Sequence, residues 1–392
     1  MRSCRLAARA AATSPRTPPH AEDAFVMPAC PKTTLSPQPA VVRALATLIA
    51  VWTLVLAAGC GGSANSIAAA PGPAPSLRLG YFANITHAAA IIGVNHGFLA
   101  RELGATRLQT QIFDAGPTAV EALFSGNLDA AYIGPSPAIN AFARSGGTAI
   151  RIIAGATSGG AQLVVRQGIN TARDLRGKTL ASPELGNTQD VALRAWLTKQ
   201  GLRNSIQGGG DVTITPTKNA DTLQLFRSGK LDGAWVPEPW ASRLVLEAGA
   251  KVLVDERDLW PDGQFGTTLL IVRTEFLQRY PQTVEALLRG HVEAVQWATQ
   301  HPVEAKTVVN NGINALTGTP LRPEVLDRAW QNLTVTDDPI AASLQRSAAN
   351  AVTAGVATQQ IDLHGIYDLS ILNRILAQRS LPTVSAGGLG KE

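Results

Sequence analysis

From Gly116 to Pro137 the chain reads Gly-Pro-Thr-Ala-Val-Glu-Ala-Leu-Phe-Ser-Gly-Asn-Leu-Asp-Ala-Ala-Tyr-Ile-Gly-Pro-Ser-Pro, and a looser copy follows later. Ser125-Gly126-Asn127-Leu128-Asp129-Ala130-Ala131-Tyr132-Ile133 aligns on Ser228-Gly229-Lys230-Leu231-Asp232-Gly233-Ala234-Trp235-Val236. Ser, Gly, Leu, Asp and Ala are kept, followed by an aromatic and a β-branched residue. Each copy is preceded by an extended run (Leu108 to Phe113; Val212 to Thr215) and a short stretch with apolar residues three or four apart (Val120, Leu123, Phe124; Leu223, Phe226). The glycine ends that helix in the left-handed conformation that other residues adopt only at a cost, and a strand of small and aromatic residues follows. The pattern predicts one βαβ unit used twice. The loops after its second strands, Gly134 to Pro137 and Pro237 to Trp240, then fall at the carboxyl edges of two sheets, where open α/β folds bind ligands. Two such loops in two similar halves predict two lobes facing one cleft.

The 392 residues allow two domains and a large core, and 45% apolar with 16% charged residues is ordinary for a globular α/β protein. The formal charge of +5 is concentrated in the first 59 residues, so the remainder is nearly neutral and carries no electrostatic footprint for nucleic acid. All three cysteines, Cys4, Cys30 and Cys60, precede the region expected to fold, which leaves that region no thiol for a disulfide, a metal or a nucleophile. Gly177-Lys178-Thr179 looks like part of a phosphate loop. Ala172 stands where that motif needs its first glycine, however, and the segment leads into a strand instead of leaving one. Neither a cofactor nor a metal is expected.

Ala44 to Ala58 is apolar apart from two threonines, follows Arg43 and ends in Leu56-Ala57-Ala58-Gly59-Cys60. It is short for a membrane span, which needs about 20 residues, and suits the apolar core of a secretory signal. Its ending resembles a bacterial lipobox in which Cys60 is lipidated, and a Gly/Ser/Ala/Pro-rich tether follows. The domain reading is therefore 1–59 as leader, 60–75 as tether, 76–160 with 266–385 as the first lobe, and 161–265 as the second. The extended runs Ala161 to Arg166 and Thr267 to Arg273 are read as two crossings between lobes, a hinge with a defined axis. Helical periodicity covers Pro281–Ala298, Val303–Val309, Pro323–Leu333, Ala341–Val356 and Leu369–Gln378, and the Gly-rich tail from Pro382 is expected to be disordered.

The candidate site is a set of helix starts that follow strands: Asn84 or Thr86, Ser136 with Pro137 at the first helical position, and Asn187 or Thr188. Each offers unpaired amide hydrogens and a neutral side-chain donor. The positive end of each helix is worth about 0.3–1 kcal/mol toward an anion, and up to about 2 when partly buried. Tyr81, Phe82, Trp235 and Trp240 are expected as apolar walls. Glu238, fixed between two prolines, is expected either to receive an amine or hydroxyl of the ligand or to hold the closed state by touching the other lobe.

From Leu77 to about Leu376 the chain resembles the solute-binding proteins of ABC importers in the aliphatic sulfonate, taurine and nitrate group, which are related to the thiamine-precursor binders. The resemblance rests on Leu79-Gly80-Tyr81-Phe82 with Asn84-Ile85-Thr86-His87, Ala115-Gly116-Pro117, the Ser125 to Asp129 motif, and Asp174-Leu175-Arg176-Gly177-Lys178. To these it adds Gly186-Asn187-Thr188-Gln189-Asp190 and Trp235-Val236-Pro237-Glu238-Pro239-Trp240. It implies an α/β, two-lobe type II periplasmic-binding-protein fold with two hinge crossings. It further implies a monomer outside the cytoplasmic membrane that delivers a small anionic ligand to a permease driven by a separate ATPase. Anion contacts would fall near Asn84, Thr86, Ser136, Asn187 and Thr188, with the loop around Glu238 on the opposite wall. Neutral helix-end donors suit an alkanesulfonate. Taurine, nitrate and a thiamine-precursor pyrimidine are the alternatives, and an enzyme on the same fold a more distant one.

Overall fold

The computed structural model describes residues 72–392; the leader, nearly all of the tether and Cys60 lie outside them. The first run of elements is β1 (Ser76–Phe82), a 3-10 turn at Ile85–His87, α1 (Ala88–Asn95), α2 (Phe98–Leu103), β2 (Arg107–Phe113), α3 (Gly116–Phe124), β3 (Ala130–Ile133), α4 (Pro135–Arg144) and β4 (Ile150–Gly159). The middle holds β5 (Ala161–Val165), β6 (Thr179–Ser182), α5 (Thr188–Lys199), β7 (Thr213–Pro216), α6 (Asn219–Arg227), β8 (Gly233–Pro237), α7 (Trp240–Ala248) and β9 (Lys251–Asp255). After β10 (Gly266–Arg273) come α8 (Thr274–Arg279), α9 (Pro281–Gln300), α10 (Pro302–Thr317), α11 (Pro323–Gln331), β11 (Leu333–Val335), α12 (Ala341–Thr353), β12 (Tyr367–Asp368), α13 (Ser370–Gln378) and β13 (Gly390–Lys391).

Two sheets result. The larger runs β13-β12-β4-β10-β3-β1-β2, with β11 also paired to β4, and the smaller runs β7-β6-β8-β5-β9. The repeat shows directly in the pairing: β1 lies between β2 and β3, all parallel, as β6 lies between β7 and β8. In both sheets the next strand is antiparallel and comes from just beyond a crossing: β10 beside β3, and β5 beside β8. Both repeated glycines have positive φ, Gly126 at 71° and Gly229 at 83°, and close α3 and α6. The repeated aspartates do matching work. Asp129 Oδ2 accepts the Arg78 amide at 2.9 Å and Asp232 Oδ2 accepts the Thr179 amide at 2.9 Å, each fastening the head of a central strand.

Apolar alternation accounts for the cores. Leu77 and Leu79 on β1, with β3, β4 and β10, build one large core under the helices of the first lobe. Leu163, Leu180, Trp196 and Trp235 fill one face of the smaller sheet, and Val164, Ala181, Phe226 and Val236 fill the other.

Three expectations need correction. The runs read as crossings are ordinary members of one sheet each. The chain crosses instead at Gly159-Gly160, both with positive φ (74° and 76°), and through the 3-10 turns at Glu256–Leu259 and Pro261–Gly263. A strand at a sheet centre cannot be a hinge, because both its neighbours hold it. The helix after β3 starts at Pro135, not at Ser136-Pro137, with Gly134 as its cap. The tail beyond Pro382 is packed: β13 pairs with β12 and Ala386 is buried. Among the described residues, no helix is long and apolar enough to cross a membrane.

Candidate functional site

The carboxyl ends of both sheets meet around a small cavity lined by Phe82, Asn84, Thr86, His87, Gly134, Asn187, Thr188 and Gln189, with Asn219, Pro237, Thr267 and Thr268 closing it. Asn84 occupies the cap position of the Ile85–His87 turn, and Asn187 that of α5, yet neither side chain accepts from a backbone amide of its own first turn, Asn187 Nδ2 donating only to the Gln189 side chain at 3.2 Å. Gly134, capping α4, has no side chain to do so. The first amide hydrogens of the Ile85–His87 turn and of α5 are thus left to whatever fills the cavity, whereas in α4 two of the first three residues are prolines and the Ser136 amide is taken by Thr188.

The capping side chains reach across the cleft instead. Trp240 Nε1 donates to Asn84 Oδ1 at 2.9 Å, and the Gly116 amide donates to Asn187 Oδ1 at 3.3 Å. The Ser136 amide donates to Thr188 Oγ1 at 3.4 Å, and Lys218 Nζ pairs with Asp114 at 2.6 Å on the rim. The walls are therefore in contact, and the cavity between them measures about 20 Å³, room for about one water. Any larger ligand must part the lobes to enter.

Its electrostatics are those of neutral donors. Among the described residues neither Lys nor Arg lines it, and the one carboxylate that does, Asp114, is the partner of Lys218. The Asp190 carboxylate in the first turn of α5 is buried but answered by Arg194 at 3.0 Å. Burial pulls the His87 imidazole down to about 3, so the ring is neutral. Its Nδ1 accepts the Phe82 amide at 3.4 Å, which places the ring proton on Nε2, a donor.

The sequence-derived candidates separate into two groups. Asn84, Thr86, Asn187 and Thr188 converge on the cavity. Ser136 contributes its amide to Thr188, while the residue itself lines a separate surface cleft. Tyr81, Trp235 and Glu238 do not line the cavity. Tyr81 is buried in the core of the first lobe. Trp235 packs edge-on against Trp196 and donates Nε1–H to Glu256 at 2.8 Å. Glu238 is fully buried: its carboxylate accepts from Ser242 N and Oγ (both 3.0 Å), Arg328 (3.2 Å) and Asn332 (2.7 Å). Burial raises its pKa despite these donors. Its lone pairs are committed, and two of its partners come from beyond the second crossing.

Sequence reasoning missed Asn219, Gly134 and Gln189. Asn219 is 7% exposed, and its Oδ1 has no hydrogen-bond partner among the described residues. It starts α6 as Gly116 starts α3, and the repeat register that sets Ser125 on Ser228 also sets Gly116 on Asn219. A Cβ on Gly134 would lie 2.2 Å from Thr188 Oγ1, so the close approach of the walls requires glycine there.

A pair of Rossmann-like lobes joined by two crossings, with facing helix starts in the cleft, is the two-lobe periplasmic-binding-protein architecture. The chain belongs to the NMT1-like family, whose model matches residues 70–311. It is similar to the putative aliphatic sulfonates-binding protein of Bacillus subtilis strain 168, 25% identical over 346 residues, 86% of this chain and 98% of that protein. It is also similar to the taurine-binding periplasmic protein of Escherichia coli K12, 30% identical over 201 residues, half of this chain and 59% of that relative's length. Among solved structures it resembles the alkanesulfonate-binding protein SsuA from Xanthomonas axonopodis pv. citri bound to MOPS, with a TM-score of 0.61, 20% identity, and coverage of 74% of this chain and 96% of that one.

Proposed function

We propose that this chain is the extracytoplasmic solute-binding component of an ABC importer, held to the membrane through a lipid on Cys60. It captures a small alkanesulfonate between its lobes and delivers it to a permease served by a separate ATPase. The observation that carries this reading is the pair of helix starts at Asn84 and Asn187 without a side-chain cap, facing a cavity that no Lys or Arg among the described residues lines. A sulfonate stays ionised at physiological pH and is a weakly basic acceptor, so amide, hydroxyl and imidazole N–H donors match it without a fixed cation. A pyrimidine is disfavoured because Trp235 and Tyr81, its expected stacking surfaces, are spent in cores.

The unpartnered Asn219 Oδ1 favours a second reading, taurine, whose ammonium supplies the missing donor. This is one of the two roles expected of Glu238, whose carboxylate Arg328, Ser242 and Asn332 already satisfy. Thermal unfolding of the purified protein against alkanesulfonates, taurine, sulfate, nitrate and a thiamine pyrimidine separates these readings. A ligand at a hundred times its Kd adds about 2.7 kcal/mol. Stabilisation by sulfonates that Thr188→Ala reduces supports the main reading, stabilisation by taurine alone the second, and stabilisation by the pyrimidine alone refutes both.

A further inference from the structure

The helix that presents Asn187 and Thr188 to the cavity has a second buried face, which the cavity does not reach. On α5, Leu193, Trp196 and Leu197 turn into the core of the second lobe. Val191 and Ala195, four residues apart and so on one face, do not join that core. α12 is divided in the same way. Ala341, Leu344 and Ala348 belong to the core of the first lobe, and the Ser343 hydroxyl accepts the Gly266 amide at 3.1 Å, while Ala351 and, just past the helix end, Ala354 leave that core. The two remaining faces meet: Val191, Ala195, Ala351 and Ala354 form a buried cluster of their own, and none of the four is more than 7% exposed. Three alanines let the helices approach closely. Around the cluster, Lys199 Nζ donates to Asn350 Oδ1 at 2.8 Å. Gly355, at φ 70°, turns the chain so that the Val356 and Ala357 amides both donate to Ala351 O, which lays Val356 beside Gly186, the residue before Asn187. The cluster shares no residue with the lining of the inner cavity.

We propose that this contact is a latch: α12 of the first lobe holds α5 of the second, and with it the Asn187–Thr188 helix start, in the closed position, so that residues that never touch the ligand set how long it is retained. Apolar surface buried only where the lobes meet favours the closed state with or without ligand, and apparent affinity scales with the fraction of molecules that are closed. The inference rests on capture between the lobes, not on which anion is captured.

Val191→Ser and Ala351→Asp, one in each lobe and each outside its own lobe's core, test the latch in the full-length protein. The Gly116 amide is bonded to Asn187 Oδ1 and the Ser136 amide to Thr188 Oγ1, both across the cleft, so their deuterium exchange reports opening without any ligand. Both variants should speed exchange at these two amides about tenfold or more, while the amides of the core strands β1 and β6 keep their wild-type rates. The double variant should add little to either single one, since both remove the same contact. With methanesulfonate as the probe, dissociation should quicken by a similar factor and association should not change. Wild-type exchange at both amides in both variants overturns the latch. So does acceleration that spreads through the core strands of the mutated lobe, which would make these side chains merely structural. Failure of methanesulfonate to bind the wild type counts against the sulfonate reading alone, because the exchange measurement uses no ligand and still decides the latch.

Discussion

Gly134→Ala turns the closeness of the two walls into a measurement. Gly134 has φ −73° and ψ 162°, a conformation that alanine adopts freely, so the substitution introduces no backbone strain. Alanine also narrows the unfolded ensemble, which adds about 0.4–1 kcal/mol to the stability of any folded state whose walls stand apart. In the closed state, however, the new methyl lies 2.2 Å from Thr188 Oγ1 and 3.2 Å from its Cβ, well inside contact distance. Either the walls stay about 1 Å apart, or Thr188 rotates its hydroxyl out of the cavity and loses the Ser136 amide. Both outcomes remove a donor from a charged ligand, worth about 1.5–3 kcal/mol, so affinity should fall roughly ten- to a hundredfold. Calorimetry reads the affinity, X-ray scattering the compaction on binding, and chemical denaturation the ligand-free stability. The clash predicts coupling: in a Thr188→Ala background the same substitution should cost little, since only the 3.2 Å contact remains. Wild-type affinity and full compaction in the single variant would refute the reasoning.

Further predictions concern stability and anchoring. Asp129→Ala should destabilise by about 2–3 kcal/mol in urea, because it strands the Arg78 amide and guanidinium, whereas Asp232→Ala, half-exposed at the equivalent place, should cost only about 1. Burial raises the Glu256 carboxyl from 4.5 to about 7, so the folded state holds its proton more tightly than the unfolded chain does. Its contribution is complete below pH 4.5 and is lost as pH rises through 7, an effect of about 3 kcal/mol. Glu256→Gln should remove that part of the pH dependence and keep an acceptor for Trp235; an unchanged pH profile refutes it. Cys60→Ser should release the protein from the membrane fraction, and retention there would end the lipid-anchor proposal.

How much was legible follows from which residues act through the backbone. The Ser-Gly-x-Leu-Asp motif could be read because its glycine sets a helix end and its aspartate fastens a strand, tasks that few other residues perform. Pro135-Ser136-Pro137 could not be resolved, since either proline can open a helix. Placement after β3 chose the first, which left Gly134 as cap and moved Ser136 inside. The strand exchange that seats β5 and β10 at sheet centres left no local trace, because a buried central strand and a crossing strand share the same apolar run.

The side-chain errors have a common origin, and the repeat contained the remedy. In its register Trp235 falls on Tyr132, and both are fully buried with one polar partner each: Tyr132 Oη meets His291 Nδ1 at 2.9 Å, as Trp235 meets Glu256. Large aromatics at that position are therefore core residues that bring their own hydrogen bond, not walls of a cleft. The same register sets Gly134 on Pro237, which both line the inner cavity, and Gly116 on Asn219 at the helix starts. The cavity-lining positions of this repeat are the residues at or just past the strand ends, where side chains are small or neutral because two helix termini approach each other there. Glu238, one residue further on, has already turned away from the cleft, and its charge holds α11 and Asn332 instead of a ligand.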